Sequence, residues 1–208
     1  SEALRGREIR AVNDVDALVA SEARDGAAAG YRFVFAANLA SGVGGGIAVD
    51  GRVHSGPNNN AADWGHSPLP WATEEELPGP ACWCGFNGCI ETWCSGRAFQ
   101  AQYEEATGER MHGSEILALA RAGDSLANEL LDRYVNRLAR GLATIVNAMD
   151  PDILVFGGGM SNVDELYQRL PEQILQYTFT TVFTTPIVKS VHGDSSGVRG
   201  AAWLWAEE

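Results

Sequence analysis

Leu126, Leu130, Tyr134, Leu138, Leu142, Ile145 and Met149 recur at helical spacing, so Ser125–Met149 is expected to be a helix with one apolar stripe against a core. The period changes directly afterwards. Ile153 to Phe156 is a short apolar run suited to a buried strand, Gly157 to Gly159 reads as a turn, and the segment beyond is helical again. Upstream, residues 9–12 read as a short strand and 14–28 as an alanine-rich helix closed before Gly30. The stretch "YRFVFAANLASGVGGGIAVDGRV" predicts a hairpin turning at Ser41 to Gly46, with a further turn at Asp50-Gly51. Residues 55–80, rich in Asn, Pro and acidic side chains, predict an irregular excursion. "ETWCSGRAFQAQYEEATG" and "GSEILALARAGD" predict two helices, the second capped by Ser114. "TPIVKSV" predicts a last strand, and "HGDSSGVRGAAWLW" a turn into a final helix that buries Trp203 and Trp205. Strands alternating with helices make this an α/β chain whose ligand edge lies at strand carboxyl ends.

At 208 residues the chain can bury a substantial core. Its net charge of -12 disfavours nonspecific attraction to nucleic acid or an anionic membrane. No apolar run has the length of a membrane span, and the first residues lack the apolar centre of a signal peptide. A cytoplasmic location is the expectation.

All four cysteines, Cys82, Cys84, Cys89 and Cys94, fall in one short stretch, with His66 upstream. Two disulfides would be one use, but a chain this long needs no staples, so metal ligation is preferred. Cys82, Cys84 and Cys89 place three sulfur donors around a loop containing Gly85 and Gly88. Zinc takes four tetrahedral sulfur or nitrogen donors, and His66 is a better fourth than His54, His112 or His192. Cys94 competes for that place but is expected to be a buried helix thiol. Zinc held by four protein ligands has no open position, so its expected work is structural.

These segments resemble the ROK family of sugar kinases and related repressors, especially its bacterial fructokinase and mannokinase branch. The resemblance is carried by "VNDVDALVASEA", "SGVGGGI", "ADWGHSPLPW", "CWCGFNGCIETWCSG", "NAMDPDILVFGGGMSNVDELY" and "HGDSSGVRGAAWLW", which span nearly the whole chain in the family's order. It implies the carboxyl-terminal lobe of an actin-like, ribonuclease H-like ATPase fold with a structural zinc loop. Residues 1–12 would be the end of an amino-terminal lobe, and 13–208 the carboxyl-terminal domain with a zinc-containing insertion around 54–94.

The resemblance further implies that Asp14 is the base that activates a sugar hydroxyl for attack on the γ-phosphate of ATP. Asn13 would bind the sugar; read alone, the Asn13-Asp14 pair is a helix cap. Asp63, His66 and Glu91 would contact sugar hydroxyls, with His66 using one ring nitrogen for zinc and the other for the sugar side. Asp63 stands where the family has glutamate, so its carboxylate stops about 1.5 Å short. Ser41, Gly42, Gly44 and Gly45 would approach phosphate, and Gly157, Gly158 and Gly159 would wall the adenosine. A glycine-rich hairpin or a glycine turn after a strand is also common without any ligand. His192, Asp194 and Arg199 are expected to be architectural.

The resemblance implies a hexose, fructose with transfer to O6 ahead of mannose and glucose, together with ATP, magnesium and a homodimer. The family's Asp-x-Gly-Gly-Thr phosphate loop is not in this sequence. A fragment of a kinase, one chain of a split enzyme, and a degenerate zinc-stabilised sugar-binding or structural partner are therefore all open. A DNA-binding repressor is disfavoured by the acidic charge.

Overall fold

The computed structural model describes Gly6, Ile9 and residues 11–203, apart from the side chain of Asp194. The centre is a mixed five-stranded sheet of β1 (Phe33–Leu39), β2 (Val43–Val49), β3 (Arg52–Val53), β4 (Ile153–Gly157) and β5 (Ile187–Lys189), in the order β3-β2-β1-β4-β5. β1 and β2 form the antiparallel hairpin, while β4 runs parallel to β1 and β5 parallel to β4.

Both faces of this sheet are covered, which explains why β4, and β1 apart from Asn38, are continuously apolar rather than alternating. On one face Val34, Ala36, Ala48, Ile153 and Val155 pack against Val15, Leu18, Val19 and Ala23 of helix α1 (Asp14–Asp25). On the other, Phe35, Ala37, Leu39, Ile47, Leu154 and Phe156 join the main core. That core is built by α2 (Ile90–Cys94), α3 (Gly96–Thr107), α4 (Gly113–Arg121), α5 (Ser125–Met149) and α6 (Asp164–Leu175). Helix α5 carries the expected stripe: Leu130, Tyr134, Leu138, Leu142 and Ile145 are buried, while Met149 at its end is 38% exposed. Among the described residues no helix is long and apolar enough to cross a membrane.

Several local expectations are corrected. No strand forms in the described part of 9–12, where Ile9 is exposed and pairs with no other strand; Arg10 lies outside the described residues. α1 stops at Asp25 because the Glu22 carboxylate accepts from the Ala27 N–H at 2.8 Å and draws the chain off the helix axis at Gly26. The hairpin turn is shorter than Ser41 to Gly46, and the later glycines enter β2. There they are packing requirements: a Cβ on Gly44 would lie 2.7 Å from Val15 Cγ2, and one on Gly46 2.9 Å from the Val15 carbonyl. A glycine strand lets α1 lie directly on the sheet.

The helix expected over "ETWCSGRAFQAQYEEATG" is two helices. Ser95 breaks it by capping α3, its Oγ accepting from the Ala98 N–H at 3.1 Å. α4 is capped by His112 rather than Ser114, with Glu115 completing a reciprocal capping box. The last helix, α7 (Ser196–Trp203), lies along α1 and only partly buries Trp203, over which the Arg24 guanidinium stacks at 5.5 Å. Trp205 lies outside the described residues. The buried Glu22 carboxylate ties this end down, accepting from the backbone N–H groups of Val191 and His192 and from Ser196 Oγ. His192 and Arg199 both reach Asp25.

Candidate active site and metal centre

The candidate metal centre is assembled from the two ends of a long loop. His66, Cys82, Cys84 and Cys89 bring their ligand atoms within 4.8 Å of one another. Cys84 Sγ lies 3.6 Å from Cys89 Sγ, and His66 Nδ1 lies 3.5 Å from Cys82 Sγ. Tetrahedral zinc with sulfur bonds of about 2.3 Å has ligand–ligand edges of about 3.8 Å, so this donor set has the size and chemistry of a closed zinc site. All four cysteines are free thiols. Burial and then the neighbouring thiols push Cys89 up to about 12, whereas the Phe86 backbone hydrogen bond draws Cys84 down. A bound dication reverses that penalty by stabilising the thiolates. Cys94 belongs to the core instead: it is fully buried, and burial lifts its thiol to about 12.

His66 and Asp63 are placed by the two residues between them. Trp64 is buried edge-on to Phe35, and its indole N–H donates to the Gly44 carbonyl at 2.9 Å. Gly65 is pressed so closely against β2 that an added Cβ would meet the Val43 carbonyl at 1.9 Å. The "WG" pair therefore fastens the loop to the sheet and leaves Asp63 and His66 on one side. Further along, Glu76 fastens the loop to α5 through Arg137 and Arg140.

On that side a cavity of about 440 Å³ opens. Asn13, Asp14, Asp63, His66 and Glu91 all line it, as do Ser41, Gly42 and Gly44. Asn13 also caps α1, its Oδ1 accepting from the Val15 N–H at 3.0 Å. Asp14, in the first helical turn, is exposed, and its carboxylate accepts from Asn38 Nδ2 at 3.4 Å. Glu91 Oε2 accepts from the Val43 N–H at 2.9 Å, and Oε1 from the Trp83 indole N–H at 2.8 Å. With His66 Nδ1 turned to the cysteines, the other ring nitrogen remains for a second partner.

A second cavity of about 510 Å³ lies beside the first, and Ala40 and Ser41 line both. Its walls come from α3, α4 and the turn after β4, including Arg97, Gln100, Ser114, Gly159 and Asn162. Arg97 Nε holds the Ser41 carbonyl at 3.0 Å. Of the glycine triplet, only Gly159 lines this cavity. A Cβ on Gly157 would lie 2.7 Å from Leu18 Cδ2, while Gly158 has φ of 80° and no room beside the Leu39 carbonyl. Gly45 likewise faces protein, with the Ala62 carbonyl 2.4 Å from its Cβ position.

Sequence reasoning missed Asn60, Trp83, Arg97 and Gln100. Trp83 carried a usable signal, since an aromatic residue between two candidate metal ligands has a constrained backbone. Arg97 and Gln100 reach their cavity only through the packing of α3.

The ROK family model matches residues 2–208. An N-acetyl-D-glucosamine kinase of Photobacterium profundum is 39% identical over 207 residues, covering 98% of this chain and 68% of that protein. The chain thus spans about two thirds of the length of such relatives. The ROK hexokinase of Thermus thermophilus superposes with a TM-score of 0.86 at 30% identity, over 100% of this chain and 69% of that one. A ROK family glucokinase from Streptomyces griseus, solved with glucose and AMPPNP, gives 0.82 at 27% identity, over 98% of this chain and 70% of that one. The chain, a mixed α/β fold with a Cys/His cluster beside its acid-lined cavity, belongs to the ROK family.

Proposed function

We propose that the protein bearing this chain is an ATP-dependent hexose 6-phosphotransferase. The observation that carries this is the shared wall: the acid-lined cavity with Asp14 and the cavity beneath α3 and α4 meet at Ala40 and Ser41. A sugar in the first and a nucleotide in the second would bring hydroxyl and γ-phosphate together at that turn. The kinases among the relatives support the same reading.

Asp63, His66 and Glu91 hold the sugar by accepting from and donating to its hydroxyls, and Asn13 completes that set. Asp14 accepts the proton of the 6-hydroxyl as its oxygen attacks the γ-phosphorus. The bond from that phosphorus to the bridging oxygen breaks, and ADP leaves with the electron pair. Ser41, Gly42 and Gly44 offer close backbone approach at the transfer point, and Gly159 leaves open space for the nucleoside. Magnesium, bound with ATP, neutralises phosphate charge. Zinc on His66, Cys82, Cys84 and Cys89 supplies no chemistry; it holds His66 and the loop in place. An amino-terminal lobe completing the phosphate cage, and a homodimer, belong to the same proposal.

The fructose expected from the motif resemblance gives way to N-acetylglucosamine as the favoured sugar, because the N-acetyl-D-glucosamine kinases cover nearly the whole chain. The test is ADP release by the intact protein with N-acetylglucosamine, glucose, mannose and fructose. Turnover lost in Asp14→Asn supports the proposal. Absence of turnover with every sugar overturns it, in favour of a degenerate binding partner.

A further inference from the structure

Trp83 is 80% exposed, yet it is held on several sides. Its neighbours Cys82 and Cys84 are candidate metal ligands, and the loop closes through hydrogen bonds from the Cys82 N–H to the Phe86 carbonyl and from the Gly85 N–H to the Cys82 carbonyl. Its indole N–H donates to Glu91 Oε1 at 2.8 Å, and its ring meets the His66 ring edge-on at 4.8 Å and 89°. The indole is thus fixed by hydrogen bonding and loop geometry, not by burial, and it lines the cavity while most of its surface stays exposed.

The rest of that cavity is chemically different. Asp14, Asn60, Asp63 and Glu91 make it polar, and Val15 and Val43 on its wall are only 4% and 5% exposed. Among the described residues lining it, Trp83 supplies the one large open apolar surface. A plain hexose presents hydroxyls that the polar groups satisfy. An N-acyl hexose adds a methyl group, which the indole, among the described residues lining the cavity, is placed to cover.

We propose that Trp83 determines sugar selectivity in this site, orienting Glu91 through its N–H and covering the acyl group of an N-acyl hexose with its ring. This rests on the cavity being the sugar site. The two roles separate by substitution: phenylalanine keeps a ring and loses the N–H, and alanine loses both.

The test is calorimetric binding of N-acetylglucosamine and of glucose to the intact zinc-loaded protein and to its Trp83→Phe and Trp83→Ala variants, with zinc content and thermal midpoint recorded for each. The wild type is expected to prefer the N-acyl sugar by about fourfold or more, the worth of one buried methyl group. Trp83→Phe is expected to weaken both sugars by about tenfold and to keep the preference, because Glu91 loses a charge-assisted hydrogen bond. Trp83→Ala is expected to weaken both and to reduce the preference to within twofold. Should the alanine variant lose zinc or unfold, the wild-type minus Trp83→Phe emission spectrum decides: a blue shift with N-acetylglucosamine and none with glucose supports the proposal, and identical spectra overturn it. A wild type without the preference, or folded variants that bind both sugars within twofold of wild type, overturns it as well. ATP turnover alongside unchanged binding in the variants sinks the role of Trp83 and leaves the kinase reading intact. Trp83-dependent binding without turnover does the reverse, and a wild type that binds neither sugar overturns both.

Discussion

Arg140 forks onto Glu76, with Nη1 2.8 Å from Oε2 and Nη2 2.7 Å from Oε1. Arg137 Nε adds a third contact to Oε1 at 2.8 Å, and all three side chains are buried. Arg140 Nη1 also holds the carbonyls of Pro70 and Trp71. The cluster thus pins the middle of the loop to α5, while the Cys/His cluster joins its ends. Burial by itself would raise the Glu76 carboxyl; the hydrogen bonds from Arg140, Arg137 and the Thr73 N–H outweigh it and hold the group at about 2. A carboxyl depressed from 4.5 contributes its stability in full above pH 4.5 and loses it as the pH falls toward 2. Urea midpoints measured from pH 6 to pH 2.5 are expected to fall in the wild type and to change less in Glu76→Gln. At neutral pH that variant strands two buried guanidinium groups and is expected to cost about 3–5 kcal/mol.

Removing the metal is expected to change thiol reactivity in a residue-specific way. In the native holoprotein a thiol reagent should find little to modify; after chelation Cys84, the one cysteine of the four that is not buried, should react first, Cys82 and Cys89 as the loop that held the ion opens, and Cys94 only on unfolding, because it sits in the main core. Mass mapping of the labelled sites checks this. Cys84→Ser should lose zinc and lower the thermal midpoint, whereas Cys94→Ala should keep zinc and lose stability by cavity formation alone.

The Asn13-Asp14 pair sits at a helix start where capping and catalysis overlap, and stability and rate separate them. Asn13→Ala is expected to cost about 1 kcal/mol of unfolding free energy through the lost Val15 N–H acceptor. Asp14→Asn leaves that cap in place and should lower kcat by about 100-fold to 10,000-fold, with sugar affinity and zinc content nearly unchanged. Chemical denaturation beside steady-state kinetics reads both. Equal loss of stability and unchanged turnover in the two variants would reduce both residues to structure.

Adjacent glycines should behave differently when a methyl group is added. Gly157→Ala forces a Cβ to 2.7 Å from Leu18 Cδ2 and is expected to destabilise by about 1–3 kcal/mol. Gly159→Ala meets nothing within 4 Å, so stability should hold while nucleotide affinity falls. Thermal midpoints and titration with a non-hydrolysable ATP analogue distinguish the two.

What the sequence determined by itself was the local chemistry. The spacing of Cys82, Cys84 and Cys89 around Gly85 and Gly88 already makes a ligand loop, and the stripe along Ser125–Met149 already makes a helix, because each depends on neighbours a few residues apart. The resemblance to the ROK family, and not the residues read alone, grouped Asn13, Asp14, Asp63, His66 and Glu91 in one site, and all five line one cavity. Tertiary structure decided which features serve ligand and which serve packing. Gly44 and Gly159 both line cavities, yet Gly44 also has to admit Val15 of α1, and Gly157 faces Leu18 alone. Glu76 looks like one of three exposed acids in a row until Arg137 and Arg140 close over it from more than sixty positions away. Trp83 gains its partner Glu91 only when the loop folds back on α2. These outcomes depend on which surfaces meet across long stretches of chain, and residue spacing alone carries no record of that.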